Sequence, residues 1–188
     1  MKLVKLGLAS LLAAGALYAG TYKVDTSHSN LGFKVKHLMI SSVRGNFNDF
    51  SGSFEYDEKT KTIKALSGEA QVSSINTENE KRDGHLKSAD FFDAKKYPTL
   101  TFKLTKIDGD DAYGVLTMKG VSKDIKLDFE NNGEITDPWG NKRVGLELEG
   151  KINRKDFGLN WNKALEAGGV VVGEEVKLTI ELEGILAK

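Results

Sequence analysis

From Thr21 onward, apolar and polar residues alternate with a period of two, and that rhythm leaves little room for anything but β-strands. Ile125, Leu127 and Phe129 interleave with Lys126, Asp128 and Glu130; Val144, Leu146, Leu148 and Ile152 with Glu147, Glu149 and Lys151; Val176, Leu178, Ile180 and Leu182 with Lys177, Thr179, Glu181 and Glu183. A helix would repeat every 3.6 residues, so these segments are strands with one wet face and one apolar face. The same pattern covers Leu31 to Val35, Leu66 to Val72, Leu100 to Leu104 and, more briefly, Tyr113 to Met118. Between Phe47 and Phe50 the apolar phase slips by one residue, which predicts a β-bulge or tight bend at Asn48 and Asp49, with the strand pair curling there.

Turn residues divide these strands at short intervals: Asp57 to Lys61, Asp108-Gly109-Asp110, Gly120 to Lys123 and Asn131-Asn132-Gly133. Such spacing predicts hairpins and antiparallel neighbours. Eight or nine strands of this kind form a single domain, either a meander closed as a barrel or a two-sheet sandwich; closure also removes exposed edges. A helical insert is expected from Thr77 to Ala94. Thr77 followed by Glu80 reads as a capping box, Arg82, His85 and Ala89 share a face, and Tyr97-Pro98 stops the segment. A second, weaker helical piece is expected from Asn162 to Ala167, before Gly168-Gly169.

The first residues differ from the rest. Lys2 and Lys5 precede the uncharged run Leu6 to Ala14, the pattern of a secretory leader. Cleavage is expected after Ala19, with Ala16 as the alternative, leaving residues 20–188 as a periplasmic chain that is soluble once cut. Loss of Lys2 and Lys5 reduces 27 basic residues to 25 against 27 acidic ones. That near balance, with no block of like charge, lacks the footprint of a nucleic-acid binder, and nothing past the leader is long and apolar enough for an integral membrane segment. Absence of cysteine removes disulfides, thiolate metal sites, thiol nucleophiles and cysteine lipidation.

Phe33, Phe47, Phe50, Phe54, Phe102 and Phe129 all fall on inferred inner faces, and Phe91, Phe92, Tyr97, Phe157 and Trp161 flank the helical pieces. The interior is therefore large and apolar. An eight-stranded barrel is just wide enough either to be filled by its own side chains or to hold one small ligand, and alternation alone is compatible with both.

Several motifs go further. Val24-Asp25-Thr26-Ser27-His28-Ser29, Phe33-Lys34-Val35-Lys36-His37-Leu38, Val43 to Phe47 with Phe50-Ser51-Gly52, Ser74 to Thr77, Arg82 to Ser88, Asp90 to Asp93, Gly114 to Gly120, Arg154 to Gly158 and Val172 to Val176 follow one another in register. This series resembles the YceI-like family of exported lipid-binding proteins and spans nearly all of the chain after the leader. Glu174, where Asp is commoner, is a mild departure. The resemblance implies an all-β, extended lipocalin-like antiparallel barrel of about eight strands with a short helical insert. It implies a periplasmic binding protein, not an enzyme, that holds a long-chain isoprenoid or other amphiphilic lipid without a cofactor. An enzyme acting on a lipid-like substrate in the same cavity is the alternative, and a homodimer is compatible with the sequence.

In that reading Phe33, Val35, Phe47, Phe50, Phe54, Phe91, Phe92, Phe102, Phe129 and Trp161 line the apolar cavity. Ten buried methylenes at about 0.8 kcal/mol each would supply on the order of 8 kcal/mol before ordering costs are subtracted. The polar head falls to His37, which shares the phase of Phe33 and Val35, and to Arg82, Asp83 and His85 on the insert. His28 and Arg154 also lie in the motifs, but structural hydrogen bonding is the simpler role for both. A metal site would need His28, His37 and His85 to converge, whereas His28 and His37 are nine residues apart and an uninterrupted strand would point them to opposite faces. No G-x-S-x-G nucleophile elbow is present, so neither a metal ion nor a serine hydrolase centre is expected.

Overall fold

The computed structural model describes residues 19–166 and 168–188; apart from Ala19, the expected leader lies outside them. Among the described residues eleven strand segments follow one another: β1 (Ala19–Val24), β2 (Asn30–His37), β3 (Ser41–Phe47), β4 (Phe50–Asp57), β5 (Thr62–Gln71), β6 (Ile75–Asn76), β7 (Thr99–Asp108), β8 (Asp111–Met118), β9 (Val121–Thr136), β10 (Lys142–Asn153) and β11 (Val172–Leu186). Helix α1 (Glu80–Lys87) interrupts them after β6, and short 3₁₀ turns occupy Val72–Ser74 and Arg154–Phe157.

All the pairings in the sheet are antiparallel. Neighbours run β1-β4-β5-β7-β8-β9-β10-β11, and β1 pairs back onto β11, which closes the ring at eight strands. The three remaining segments lengthen three of those strands. β2 takes up the pairing with β11 where β1 leaves off (Val24 opposite Gly184, Asn30 opposite Glu181), β3 precedes β4 and β6 follows β5. The expected eight-stranded lipocalin-like barrel is therefore what forms.

Local chemistry sets the turns. At Lys119-Gly120 both residues have positive φ (51° and 76°), the two-residue hairpin geometry that follows the twist of the strands. The Asp57 carboxylate accepts hydrogen bonds from the backbone N–H groups of Lys59 (2.9 Å) and Thr60 (3.1 Å), holding the β4–β5 turn. The bend at Asn48-Asp49 is present, but β3 and β4 do not curl against each other as a pair. They are successive parts of one bent strand, each paired with different neighbours.

Three expectations need correction. Asn131-Asn132-Gly133 is a bulge within β9, where Gly133 pairs with Gly145 and Asn131 with Leu146. The chain turns instead at residues 137–141, where Asp137 accepts from the N–H groups of Trp139 and Asn141. Asn162 to Glu166 is not helical but irregular, with an isolated bridge from Ala164 to Val170, and Ala167 lies outside the described residues. Helix α1 is capped by Asn79, whose side chain accepts from Arg82 N at 2.9 Å, and not by Thr77. Asn at this position is as good a cap as Thr and begins the helix two residues later.

The barrel has two unlike ends. At the end bounded by the turns at 57–62, 108–111 and 137–141, Tyr22, Phe54, Tyr56, Val144 and Leu146 are at most 1% exposed and fill the interior. Tyr22 stacks on Phe54 with ring centroids 5.4 Å apart, and Tyr56 meets Tyr22 edge-on. At the other end Leu31, Phe33, Leu100, Leu116, Val176 and Leu178 sit on the same inward phase yet remain only half-buried.

Candidate functional site

Those half-buried side chains face an internal space. An apolar chamber of about 210 Å³ is walled by Phe33, Val35, Phe47, Phe50, Phe92 and Phe102 together with Leu31, Leu100, Leu116, Val176, Leu178 and Ile180. Phe33 and Phe47 lie 5.8 Å apart, and Phe47 meets Phe92 edge-on at 6.1 Å, so these rings line one wall as a connected row. Such edge-on and offset contacts are favourable aromatic geometries.

The chamber adjoins a vestibule of about 480 Å³, with Phe33, Val35, Leu86, Phe91 and Val172 common to both. The vestibule's other walls are polar: Lys36, His37, Asn79, Lys81, Arg82 and His85, beside Val43, Trp161 and Val171. None of its lining residues is Asp or Glu. It is a cationic anteroom to an apolar chamber.

Helix α1 positions much of this boundary. It has a single large apolar side chain, Leu86, and eight residues are too few for a stable isolated helix, so tertiary contacts must hold it. Buried Asp83 accepts from both the backbone N–H (2.9 Å) and the hydroxyl of Thr77. Arg82 donates from Nε to Thr77 Oγ1 and from Nη2 to the Thr77 carbonyl, each at 2.7 Å. This network ties the helix to the end of β6 and leaves Leu86 facing the junction between chamber and vestibule.

His85 sits between two rings, edge-on to Phe91 (5.0 Å) and to Trp161 (4.9 Å), with Nε2 3.2 Å from Asp90 Oδ2. Arg154, on the chamber wall, is 3% exposed and makes no ion pair among the described residues. It donates to the carbonyls of Gly173 (2.8 Å), Leu159 and Val172, pinning the segment between β10 and β11. Burial pushes its guanidinium pKa below the ordinary arginine value.

The expected cavity residues divide accordingly. Phe33, Val35, Phe47, Phe50, Phe91, Phe92 and Phe102 line the chamber, and Trp161 lines the vestibule. Phe54 and Phe129 pack in the filled end and lie outside both spaces, because inward phase does not report height along the barrel. His37, Arg82 and His85 come together in the vestibule; Asp83 does not, being spent on Thr77. Leu31, Leu100, Leu116, Val176 and Leu178 are chamber residues that were legible as inward strand positions but carried no further signal.

His28 lies apart, in the exposed loop between β1 and β2, with carboxylate oxygens of Asp25 and Glu183 within 4.8 Å. Arg143 donates to Asp25 at 2.9 Å, to Asp137 at 2.7 Å and also to Glu183, so it is the cation that these three carboxylates hold. Hydrogen bonds from Ser27, His28 and Arg143 keep the Asp25 pKa well below the usual carboxylate range. For Asp137, burial pushes upward, but hydrogen bonds from Arg143, Asn141 and Trp139 outweigh it and the net shift is strongly downward.

Residues 22–184 match the model of the YceI-like domain. The chain belongs to the YceI-like family. YceI of Escherichia coli O157:H7 is 40% identical over the full length of both chains. Among solved structures, the YceI protein of Campylobacter jejuni is 38% identical and superposes with a TM-score of 0.67 over 87% of this chain and 96% of its own. A polyisoprenoid-binding domain from Saccharophagus degradans, 16% identical, shares the fold with a TM-score of 0.65 over 90% of this YceI-like chain and all of its own. The family and the lipocalin-like barrel that its motifs imply are thus both present.

Proposed function

We propose that this protein is an exported binding protein for a long-chain amphiphile, with the tail in the apolar chamber and a negatively charged head in the vestibule. The observation that carries the reading is the join between the two spaces: an unfilled apolar interior opens onto a vestibule lined by Lys36, His37, Lys81, Arg82 and His85, with no Asp or Glu among its lining residues. Chamber and vestibule together fall within roughly the 300–1,000 Å³ of small-molecule sites. The polyisoprenoid ligand named for the Saccharophagus domain, which shares this fold, favours an isoprenoid tail. Residues 1–19 are the leader in this reading, which makes the site of action the periplasm and the task transport, storage or sequestration.

Mass spectrometry of an organic extract of the purified protein identifies the tail. Titration with a long-chain prenol and its monophosphate then tests the head. The phosphate should bind about tenfold more tightly, the effect of one additional charge-assisted contact at roughly 1.4 kcal/mol. Lys81→Gln should narrow that gap and leave prenol binding unchanged. Equal affinities for the two ligands would remove the vestibule from head recognition, and failure to bind either would refute the cavity reading.

A further inference from the structure

The β2–β3 hairpin ends in three consecutive apolar residues, Leu38, Met39 and Ile40, of which Met39 is 57% and Ile40 85% exposed. Turns of this kind normally carry Asn or Gly, because both central residues adopt positive φ. Here Leu38 (φ 50°) and Met39 (φ 64°) occupy those positions. The fold therefore accepts backbone strain and exposed apolar surface at one spot, a combination that points to function.

That spot is the lip of the vestibule. His37 immediately precedes it, and Leu38 N–H donates to the Val171 carbonyl at 2.9 Å, joining the hairpin to the segment that carries Lys163. Val171 N–H in turn donates to the Lys163 carbonyl at 3.0 Å. Lys36 and Lys81 line the same opening. Glu166 is an exposed acid on the neighbouring segment, whereas Glu174 and Glu175 are already engaged by Lys155 and Lys151, at 2.5 and 3.0 Å. Widely separated in sequence, the three lysines form no recognisable basic run; folding sets Lys36 and Lys81 on the opening and exposed Lys163 on the segment hydrogen-bonded to the tip through Val171.

We propose that this lip is a membrane-docking surface: Met39 and Ile40 insert into the interface of an anionic lipid bilayer while Lys36, Lys81 and Lys163 face its headgroups, bringing the mouth of the cavity to the lipid. An exposed apolar tip on a lip that carries basic side chains matches the layered chemistry of such a surface, with acyl carbon beneath negative charge. The inference rests on the proposed lipid-binding function, since docking brings the mouth of that cavity to a bilayer from which it could load.

Flotation of the purified protein with vesicles of phosphatidylglycerol and phosphatidylethanolamine, against vesicles of phosphatidylcholine, tests it. Binding to the anionic vesicles should be roughly tenfold stronger and should weaken as salt is raised. Met39→Ser combined with Ile40→Ser, both exposed positions, should lower it about fivefold or more, and Lys36→Glu with Lys163→Glu should do the same. Binding of a fluorescent prenyl ligand supplied without vesicles should be unchanged in the Met39/Ile40 double variant. Absence of anionic-vesicle binding, or equal binding by the double variant, overturns the proposal. So does a sedimentation result in which the tip holds two copies together and vesicles are ignored. If the prenyl ligand fails to bind any form while vesicle docking persists, it is the cavity reading that falls.

Discussion

Val176→Phe distinguishes a hollow barrel from a filled one by the sign of its effect. Val176 lies on β11 opposite Val35 and Ile152, faces the chamber and is only half-buried. Replacing it by Phe adds four carbon atoms. In a close-packed interior such an insertion costs about 1–3 kcal/mol through strain, which for a chain of this size lowers Tm by about 2–4 °C per kcal/mol. In the chamber of about 210 Å³ the ring has somewhere to go, so the ligand-free variant should melt at or above the wild-type temperature. The same ring takes space from the tail. If it displaces four methylenes, each worth about 0.8 kcal/mol, binding weakens by about 3 kcal/mol, roughly 200-fold in Kd. Calorimetric melting of delipidated protein and titration with a long-chain prenol measure the two effects. A lower Tm without ligand, or an unchanged Kd in a folded variant, would refute the reasoning.

Gly114→Ala should destabilise the fold by about 1–3 kcal/mol, because a methyl there would overlap the Phe102 ring and come within 2.8 Å of the Lys103 carbonyl; thermal melting measures it. Arg154→Met should cost about 1–3 kcal/mol by leaving the Gly173, Leu159 and Val172 carbonyls without their donor, and should speed amide exchange from Leu159 to Gly173 ahead of the rest of the chain. Asp25 and Asp137 have folded pKa values below their unfolded ones, so their contribution is fully present above the unfolded aspartate pKa of about 4 and is lost as pH falls below it. Melting curves should therefore drop steeply below about pH 4, and Arg143→Met should flatten that drop, since the hydrogen bonds from Arg143 help depress both carboxylates.

The strands and their inward faces were readable because a period of two is a local property of the chain. The motifs likewise carried the family and the closed barrel. Alternation, however, records only which face a side chain takes. Phe54 and Phe129 alternate as regularly as Phe33 and Phe102, yet the first two pack a filled end and the latter two line a chamber. The alternation that starts at Thr21 falls within β1, but six residues are too few for a period to mark it as a strand of its own, although Tyr22 is among the most buried side chains. Within Asn131-Asn132-Gly133 only Gly133 adopts positive φ (96°), and a bulge makes that demand as readily as a turn, so the turn stabilised by Asp137 won. The Thr77–Arg82–Asp83 network was visible only as proximity in sequence. Folding spends Asp83 within it, while Arg82 also borders the vestibule.

The two ends of the barrel divide stability from binding, and amide exchange should show the boundary. At the filled end the rings of Tyr22, Phe54 and Tyr56 bury their surface among the protein's own side chains, and β1 closes against β11. At the hollow end inward-facing residues such as Leu31, Leu100 and Leu178 leave apolar surface uncovered, and helix α1 is attached mainly through Thr77 and Leu86. Uncovered wall supplies no burial energy until a ligand covers it, so local opening at that end should need less free energy than global unfolding. In delipidated protein, amides of α1 and β6 should therefore exchange before those of β9 and β10. A bound amphiphile should slow the first group most, because a ligand of the native state raises stability by RT ln(1 + [L]/Kd), and openings that destroy the site feel that full term. Hydrogen exchange followed by mass spectrometry with and without a long-chain prenol makes the comparison. Equal protection at both ends in the delipidated protein, or a ligand effect confined to β9 and β10, would show that the hollow end is held by something other than its cargo.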